Sequence, residues 1–346
     1  MEGQRVVVHA PGSYERLRLE RWSVPAPRSR EVQIEVRAIG VNYADCVVRM
    51  GLYDSARRFV GWPITPGFEV SGVISAVGDE VEGLCVGQAV LAVTRFGGYS
   101  THVVVPAEQA FALPSSFDFA QGAGFAAVFM TAWYALFALA HPRSDDRVLV
   151  HSAAGGVGGA LLQLLRMKGC HVVGVVGAPH KVKIAREQGA DVVIDKSAED
   201  LWSTAVHHAP WGYHIILDAN GAATLKESYQ HLGSPGKLVV YGFHTMLPRK
   251  GGRPRLLQLV RGWLRTPRFD PLKLTGDNHS VLAFNLSYLF SDERRVMTEA
   301  MTQLLGWVEE GHLVAPHVTR FRFDQVADAH RALESGQTVG KLILEP

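Results

Sequence analysis

The sequence predicts an α/β protein in two parts: a mainly β domain and a doubly wound parallel sheet. Three observations predict it. Residues 1 to about 118 carry VVVHA, EVQIEVRAIGV, FEVSGVISAVG, QAVLAVT and YSTHVVVP, β-branched runs bounded by Gly and Pro that read as strands. From Phe119 short apolar runs alternate with helical patterns, and a glycine-rich turn stands at the first strand-to-helix junction. In order these are strand RVLVHSA, helix GGALLQLLRMKG, strand HVVGVVG, helix HKVKIAREQG and strand DVVID. HIILDA, helix AATLKESYQHL and strand KLVVYGF follow. Such alternation predicts a parallel sheet. Runs such as VLV and VVGVV are apolar on both faces, as strands covered by helices on each side must be.

Composition bounds the function. With 346 residues, length alone suggests about two domains. A 47% hydrophobic content excludes a disordered chain, and Cys46, Cys85 and Cys170 are too few for a disulfide scaffold or a four-cysteine zinc lobe. The net charge of +2 argues against a general nucleic-acid binder. MEGQRVVVHAPG contains no long apolar stretch, so the expected location is the cytoplasm. Gly122 to Ala140, GAGFAAVFMTAWYALFALA, is uncharged and long enough to span a membrane. Its Gly- and Ala-rich composition and the lack of a Lys/Arg bias at its ends favour a buried helix.

SAAGGVGGALLQLL carries the strongest motif, Ala153-x-Gly155-x-x-Gly158. A small residue permits the tight turn, Gly155 lets backbone amides approach a pyrophosphate, and Gly158 lets helix and strand pack closely. The pyrophosphate then meets free N–H groups at a helix N-terminus. Ala154, Gly155, Gly156, Val157 and Gly158 are the predicted cradle. An NAD site carries an acid about 20 residues on. Here that stretch is HVVGVVGAPHK, with Gly177 and Ala178 in place of an acid and His180 and Lys181 just beyond. This pattern points to NADPH. A plain reading of Lys181 is a solvated first turn of a helix.

VNYADCVVRMGLY, TPGFEVSGVISAVGDEV, AAGGVG, EQGADVVID and VGKLILEP occur in that order over essentially the whole chain. By these motifs the chain resembles the medium-chain dehydrogenase/reductase superfamily, in its zinc-free quinone oxidoreductase (zeta-crystallin) branch. GKLVVYGF with an Arg-rich insert, FNLSYLF and GHLVAPHVTRFRFDQVADAHRALES are similar to the vesicle amine transport protein clade. The resemblance implies a GroES-like β-rich catalytic domain over 1–126, completed by 288–346. A Rossmann NADP-binding domain is implied over 127–287, with the Arg-rich insert at about 246–273. It also implies a homodimer.

Zinc-dependent members place cysteine in G-x-C and histidine in G-H-E, where this chain has Asn42 and Phe68. An amide and a phenyl ring are not zinc ligands, so no metal is expected. Hydride transfer without a Lewis acid suits a conjugated acceptor, a quinone or an α,β-unsaturated carbonyl. Asn42, Asp45 and Tyr53 match the family's N-x-x-D…G-x-Y pattern. Asn42 would orient or donate, and Tyr53 would donate a proton or stabilise an enolate. The bland alternatives are a turn cap for Asn42, an N-cap for Asp45 and a packing role for Tyr53. Some bacterial relatives carry a second tyrosine where Val47 stands here. The resemblance also assigns Thr131, Gly242, Phe284 and Lys341 to the cofactor. Asn220 follows a strand end, where open α/β sheets bind ligands.

The insert holds Arg249, Lys250, Arg253, Arg255, Arg261, Arg265, Arg268 and Lys273 against Asp270 alone. Leu256, Leu257, Leu259, Val260, Trp263 and Leu264 fit one helical face, opposite Arg255, Gln258, Arg261 and Arg265. A basic amphipathic helix suits peripheral membrane contact through 249–273, and the plainer alternative is a helix packed over the substrate cleft. The expected activity is NADPH-dependent reduction of a quinone or conjugated carbonyl. The rivals are an enoyl-thioester reductase, a non-catalytic NADPH-binding membrane-associated protein and, supported only by local positive charge, an RNA binder.

Overall fold

The β-branched runs of the first third form strands. In the computed structural model, which describes every residue except Glu293 and every side chain outside 290–294, two compact units divide the chain. One comprises Met1–Val128, Arg249–Arg253 and Ser287–Pro346; the other comprises Phe129–Pro248 and Pro254–Leu286.

In the first unit, β1 (Glu2–Val7) and β2 (Arg18–Ser23) pair as an antiparallel ribbon. β3 (Glu31–Val41), β4 (Glu69–Val77), β5 (Ala89–Val93), β6 (His102–Pro106) and β7 (Ala110–Ala112) form the main antiparallel sheet. β3 is central: β4 lies along one edge, and β6 pairs with its first half along the other. Val32, Ile34, Ile39, Val70, Ile74 and Val90 make the core of this sheet. Two short helices, α1 (Tyr43–Arg49) and α2 (Asp54–Phe59), interrupt the strands.

α3 (Phe119–Trp133) continues as a π-helical stretch over Tyr134–Ala140 and stops at His141, whose φ of 50° is left-handed. This helix is long and apolar enough to cross a membrane by length and composition. Its side chains Phe125, Phe129, Met130 and Leu136 are buried in the protein, which is what a core helix requires.

The second unit holds β8 (Arg147–Val150), α4 (Gly156–Met167), β9 (His171–Val176), α5 (Val182–Gln188) and β10 (Val192–Asp195). α6 (Leu201–His208), β11 (Tyr213–Asp218), α7 (Leu225–Gln230) and β12 (Leu232–Val240) follow, then α8 (Leu256–Arg265), α9 (Pro271–Asp277) and β13 (His279–Ala283). All neighbours are parallel, in the order β10-β9-β8-β11-β12-β13. The order reverses between β8 and β11, and ligands of open α/β sheets bind outside the strand ends at such a reversal.

The chain then returns to the first unit through α10 (Leu286–Asp292), α11 (Arg294–Glu309), β14 (Val318–Arg322), α12 (Val326–Ser335) and β15 (Lys341–Glu345). β15 pairs antiparallel with β3, Leu342 facing Val41, and that register sets Lys341 beside Asn42.

Candidate functional site

The predicted residues fall into two groups, one in each unit. In the second unit β8 runs into the turn after His151, where Ser152 takes a positive φ of 56°. Gly155 then caps α4 with extended backbone. Gly156, Val157 and Gly158 fill the first turn, whose amides have no carbonyl behind them within the helix. A Cβ on Gly158 would lie 2.3 Å from the Ser152 carbonyl oxygen and 2.8 Å from the Ala153 Cα, so only glycine permits this approach of helix to turn. Ala153 and Ala154 are buried beneath, and the Ala153 N–H donates to Val175 of β9 at 3.0 Å.

Asn220 is fully buried, and its Oδ1 accepts from Ser152 Oγ at 3.0 Å, while its Nδ2 has no protein partner. An unpaired buried amide donor is costly, so Asn220 offers a donor that fits a ligand at this strand end. Sequence reasoning missed what holds the loop. Asp218 Oδ1 accepts from the Asn220 and Gly221 N–H groups at 2.8 and 3.0 Å, and Oδ2 from Thr224 and Ser228 at 2.7 and 2.9 Å. Burial keeps the neighbouring His151 below the usual imidazole range. Gly221, at φ 81°, leaves no room for a Cβ against Phe243, and Gly242 stands against Ala219 in the same way. These glycines let two strand ends touch.

Gly177 and Ala178 follow β9 with no acid present. Lys181 caps α5 after a 3-10 turn, half-buried. A second cation, absent from the sequence reading, is Lys196 at the end of β10. A Cβ on Gly177 would lie 3.5 Å from its Cε. The signal that could have found it is the lysine directly after DVVID. Thr131 sits half-buried within α3, and Phe284 packs on Tyr134 with ring centroids 4.9 Å apart.

In the first unit the ends of β3, β4 and β15 bring together Asn42, Glu69 and Lys341. Asn42 Nδ2 donates to Glu69 Oε1 at 2.9 Å, and Lys341 Nζ donates to Asn42 Oδ1 at 2.7 Å. Lys341 pairs with Glu69 at 2.8 Å and donates to the Val41 carbonyl at 2.9 Å, both side chains being buried. Glu69 Oε2 accepts from the Ala127 N–H at 2.6 Å. Gly40 makes room, since a Cβ there would lie 2.4 Å from Glu69 Oε1. The Lys341 side chain, expected at the cofactor, lies among Glu69, Asn42 and the Val41 carbonyl. Its three ammonium hydrogens are engaged within this unit, and it orients Asn42. Glu69 is the partner that sequence reasoning missed.

Asp45 does not cap α1. Asn42 is the N-cap, and Asp45 at the third helical position accepts from the Asn42 N–H and the Gly67 N–H, both at 2.8 Å. Burial pushes its carboxyl up to about 7 against these two donors. Tyr53 caps α2 and packs edge-on against Phe68 at 5.8 Å and Phe96 at 6.4 Å, half-buried. Cys46 is fully buried with Sγ 3.4 Å from His330 Nδ1, and burial pushes its thiol well up, so it is no reactive thiolate. Among the described residues, Cys46, His330 and Glu334 could by geometry hold a metal ion. Glu334, however, already meets Arg49 at 2.5 Å and Tyr14 at 2.7 Å, and a buried guanidinium disfavours a second cation there.

The insert also departs from expectation. Residues Arg249–Arg253 belong to the first unit, where Arg253 pairs with Glu15 at 2.7 Å. α8 packs through Gln258, Leu259 and Gly262, while Arg255, Arg261 and Arg265 stay exposed. Gln258 Nε2 donates to the Thr245 and Leu247 carbonyls at 3.2 and 2.9 Å, and Gly262 packs on Met246. Leu256, Leu257, Val260, Trp263 and Leu264 face outward, Trp263 at 63% exposure and Leu257 at 74%. Leu259 leaves that stripe and is half-buried.

Comparison with known proteins agrees with this architecture. Residues 28–115 match the alcohol dehydrogenase GroES-like domain, and residues 188–344 match a family described as zinc-binding dehydrogenase. The synaptic vesicle membrane protein VAT-1 homolog of Rattus norvegicus is 34% identical over 97% of this chain and 82% of its own length. The quinone oxidoreductase of the same organism is 29% identical over 93% and 91%. The Escherichia coli quinone oxidoreductase, solved with NADPH, superposes with a TM-score of 0.85 at 26% identity, covering 99% of this chain and 100% of that one. The chain belongs to the quinone-oxidoreductase-like branch of the medium-chain dehydrogenase/reductase superfamily, alongside the VAT-1 homologs.

Proposed function

We propose that the protein is a zinc-independent NADPH-dependent reductase of quinones or α,β-unsaturated carbonyls. The observation that carries the reading is a phosphate cradle at α4 combined with the lack of an acid directly after β9 and with two lysines, Lys181 after β9 and Lys196 after β10. The residues fit the cofactor: Gly158 leaves space only a glycine can leave, and the buried Asn220 amide lacks a protein partner. The first amides of α4 would take the pyrophosphate, and Lys181 and Lys196 would neutralise a 2′-phosphate. Bound there, the nicotinamide supplies a hydride. In the first unit Asn42 offers a carboxamide held by Glu69 and Lys341, and its second amide hydrogen would donate to a substrate carbonyl oxygen. The Tyr53 hydroxyl is the proton source for the carbon or oxygen that becomes basic as the conjugated system is reduced.

The test is a panel of quinones and enones with both nicotinamide cofactors. Turnover is expected with NADPH, and Lys181→Ala and Lys196→Ala should each weaken NADPH by about tenfold while leaving NADH nearly unchanged. No turnover across the panel overturns the reductase reading, and an unchanged cofactor preference in both variants overturns the phosphate assignment.

The outward apolar face of α8 favours a second reading, attachment to an anionic membrane surface through 249–273. A contiguous row of Leu256, Leu257, Val260, Trp263 and Leu264, rimmed by arginines, has the pattern of an interfacial helix. Flotation with vesicles containing about 30% phosphatidylserine is expected to carry the protein, together with a blue shift of Trp263 fluorescence. Equal partitioning of wild type and Leu257→Asp/Leu264→Asp would sink this reading.

A further inference from the structure

α8 lines a solvent-open cavity of about 760 Å³ in the second unit, within the size range of small-molecule sites, and its Leu256 and Leu257 stand at the rim. Ala222 and Ala223, which directly follow the Asn220–Gly221 loop at the end of β11, line its other side. Its side includes Thr245, which is tied to that loop: the Thr245 Oγ1 and N–H both donate to the Asn220 carbonyl, at 2.6 and 3.1 Å. Gln258 fastens α8 to the same Thr245, so helix, loop and strand end form one framework.

Arg255, Arg261 and Arg265 line this cavity. No carboxylate lines it, and among the described residues none of the three guanidinium groups has an ion-pair or hydrogen-bond partner. The three arginines are exposed along one concavity, and three positive charges on one wall raise the positive potential there. Arg255 also caps the ten-residue α8, so the helix dipole adds positive potential at its end. A planar guanidinium fork matches the oxygens of a carboxylate or a phosphate.

Resting on the reductase reading, we propose that this cavity is a specificity subsite for a carboxylate or phosphate group carried by the soluble acceptor. The preferred substrates are then anionic conjugated carbonyls, held by their anion against Arg255, Arg261 and Arg265.

The experiment compares 6-oxohept-4-enoate with its methyl ester, acceptors that share the enone and differ in charge. Wild type should favour the carboxylate by about tenfold in kcat/KM, mainly through KM, and the preference should shrink between about 50 mM and about 0.5 M salt. Arg261→Glu/Arg265→Glu should abolish the preference with NADPH affinity unchanged. Equal activity on both acceptors in wild type overturns the proposal. So does an equal loss on both in the variant, or a loss of NADPH affinity, which would assign the arginines to the cofactor. If neither compound is reduced, the quinone and enone panel judges the reductase reading, and calorimetric binding of 6-oxoheptanoate to the NADP⁺-loaded protein decides the subsite. Binding lost in the variant supports it, and absent or equal binding overturns it. Inorganic phosphate competing as well as the carboxylate would show a site for free anions and would overturn the assignment to the acceptor.

Discussion

Lys341 places a buried ammonium among Glu69, Asn42 and the Val41 carbonyl, so its removal leaves a carboxylate uncompensated in the interior. Breaking such a pair from one side costs about 3–5 kcal/mol. Lys341→Met is therefore expected to lose stability in that range in denaturant unfolding, and Lys341→Met/Glu69→Gln should recover much of it. A loss below about 1 kcal/mol in the single variant would contradict the ion pair. Asp45 gives a pH signature. Its carboxyl is raised to about 7 when folded and has an ordinary value near 3.9 when unfolded. The folded chain thus holds a proton that the unfolded chain releases between these values. The contribution is full below about pH 4 and is lost as pH rises through about 7. Stability of wild type relative to Asp45→Asn should accordingly fall between about pH 4 and pH 7 and level off above. A difference independent of pH would refute the raised carboxyl.

At the scale of elements, the strand–turn–helix at β8 and α4 was legible because its requirements are local. Gly155 and Gly158 stand three residues apart, and the helix after them is periodic over its whole length. Gly to Ala inside a helix ordinarily stabilises by about 0.5–1 kcal/mol. At Gly158 the added Cβ would meet the Ser152 carbonyl at 2.3 Å. Gly158→Ala should therefore destabilise the protein and raise the NADPH Kd by about tenfold or more, read by calorimetry. A variant as stable and as tightly binding as wild type would remove the cradle argument. α8 shows the opposite case. Its amphipathic period is plain in the sequence, but the period alone does not state which face packs. Gln258 capping two carbonyls and Gly262 fitting Met246 leave the apolar stripe outside, a choice set by partners outside the helix.

For the whole molecule, β13 is an edge of the six-stranded sheet, paired with β12 alone, and an edge strand presents unpaired N–H and C=O groups. We propose that two copies join through this edge, as the family resemblance implies, which would satisfy them. Light scattering after size exclusion should read about twice 37.8 kDa, and a monomeric mass at every concentration would reject the pairing.

The sequence by itself determined the two kinds of architecture, the dinucleotide turn, the absence of an acid after β9 and the basic amphipathic insert. Each is written in neighbouring residues, through strand alternation, helical period or turn chemistry. Only the tertiary structure decided that Asn42, Glu69 and Lys341 act together. They lie 27 and 299 residues apart, and the register of β15 on β3 is what joins them. It likewise decided that Lys196 stands beside Gly177, that Asp218 holds the Asn220 loop, and that the arginines of α8 share a cavity with Ala222 and Ala223. Spacing along the chain encodes local geometry, whereas sheet pairing selects which distant strand ends share a site.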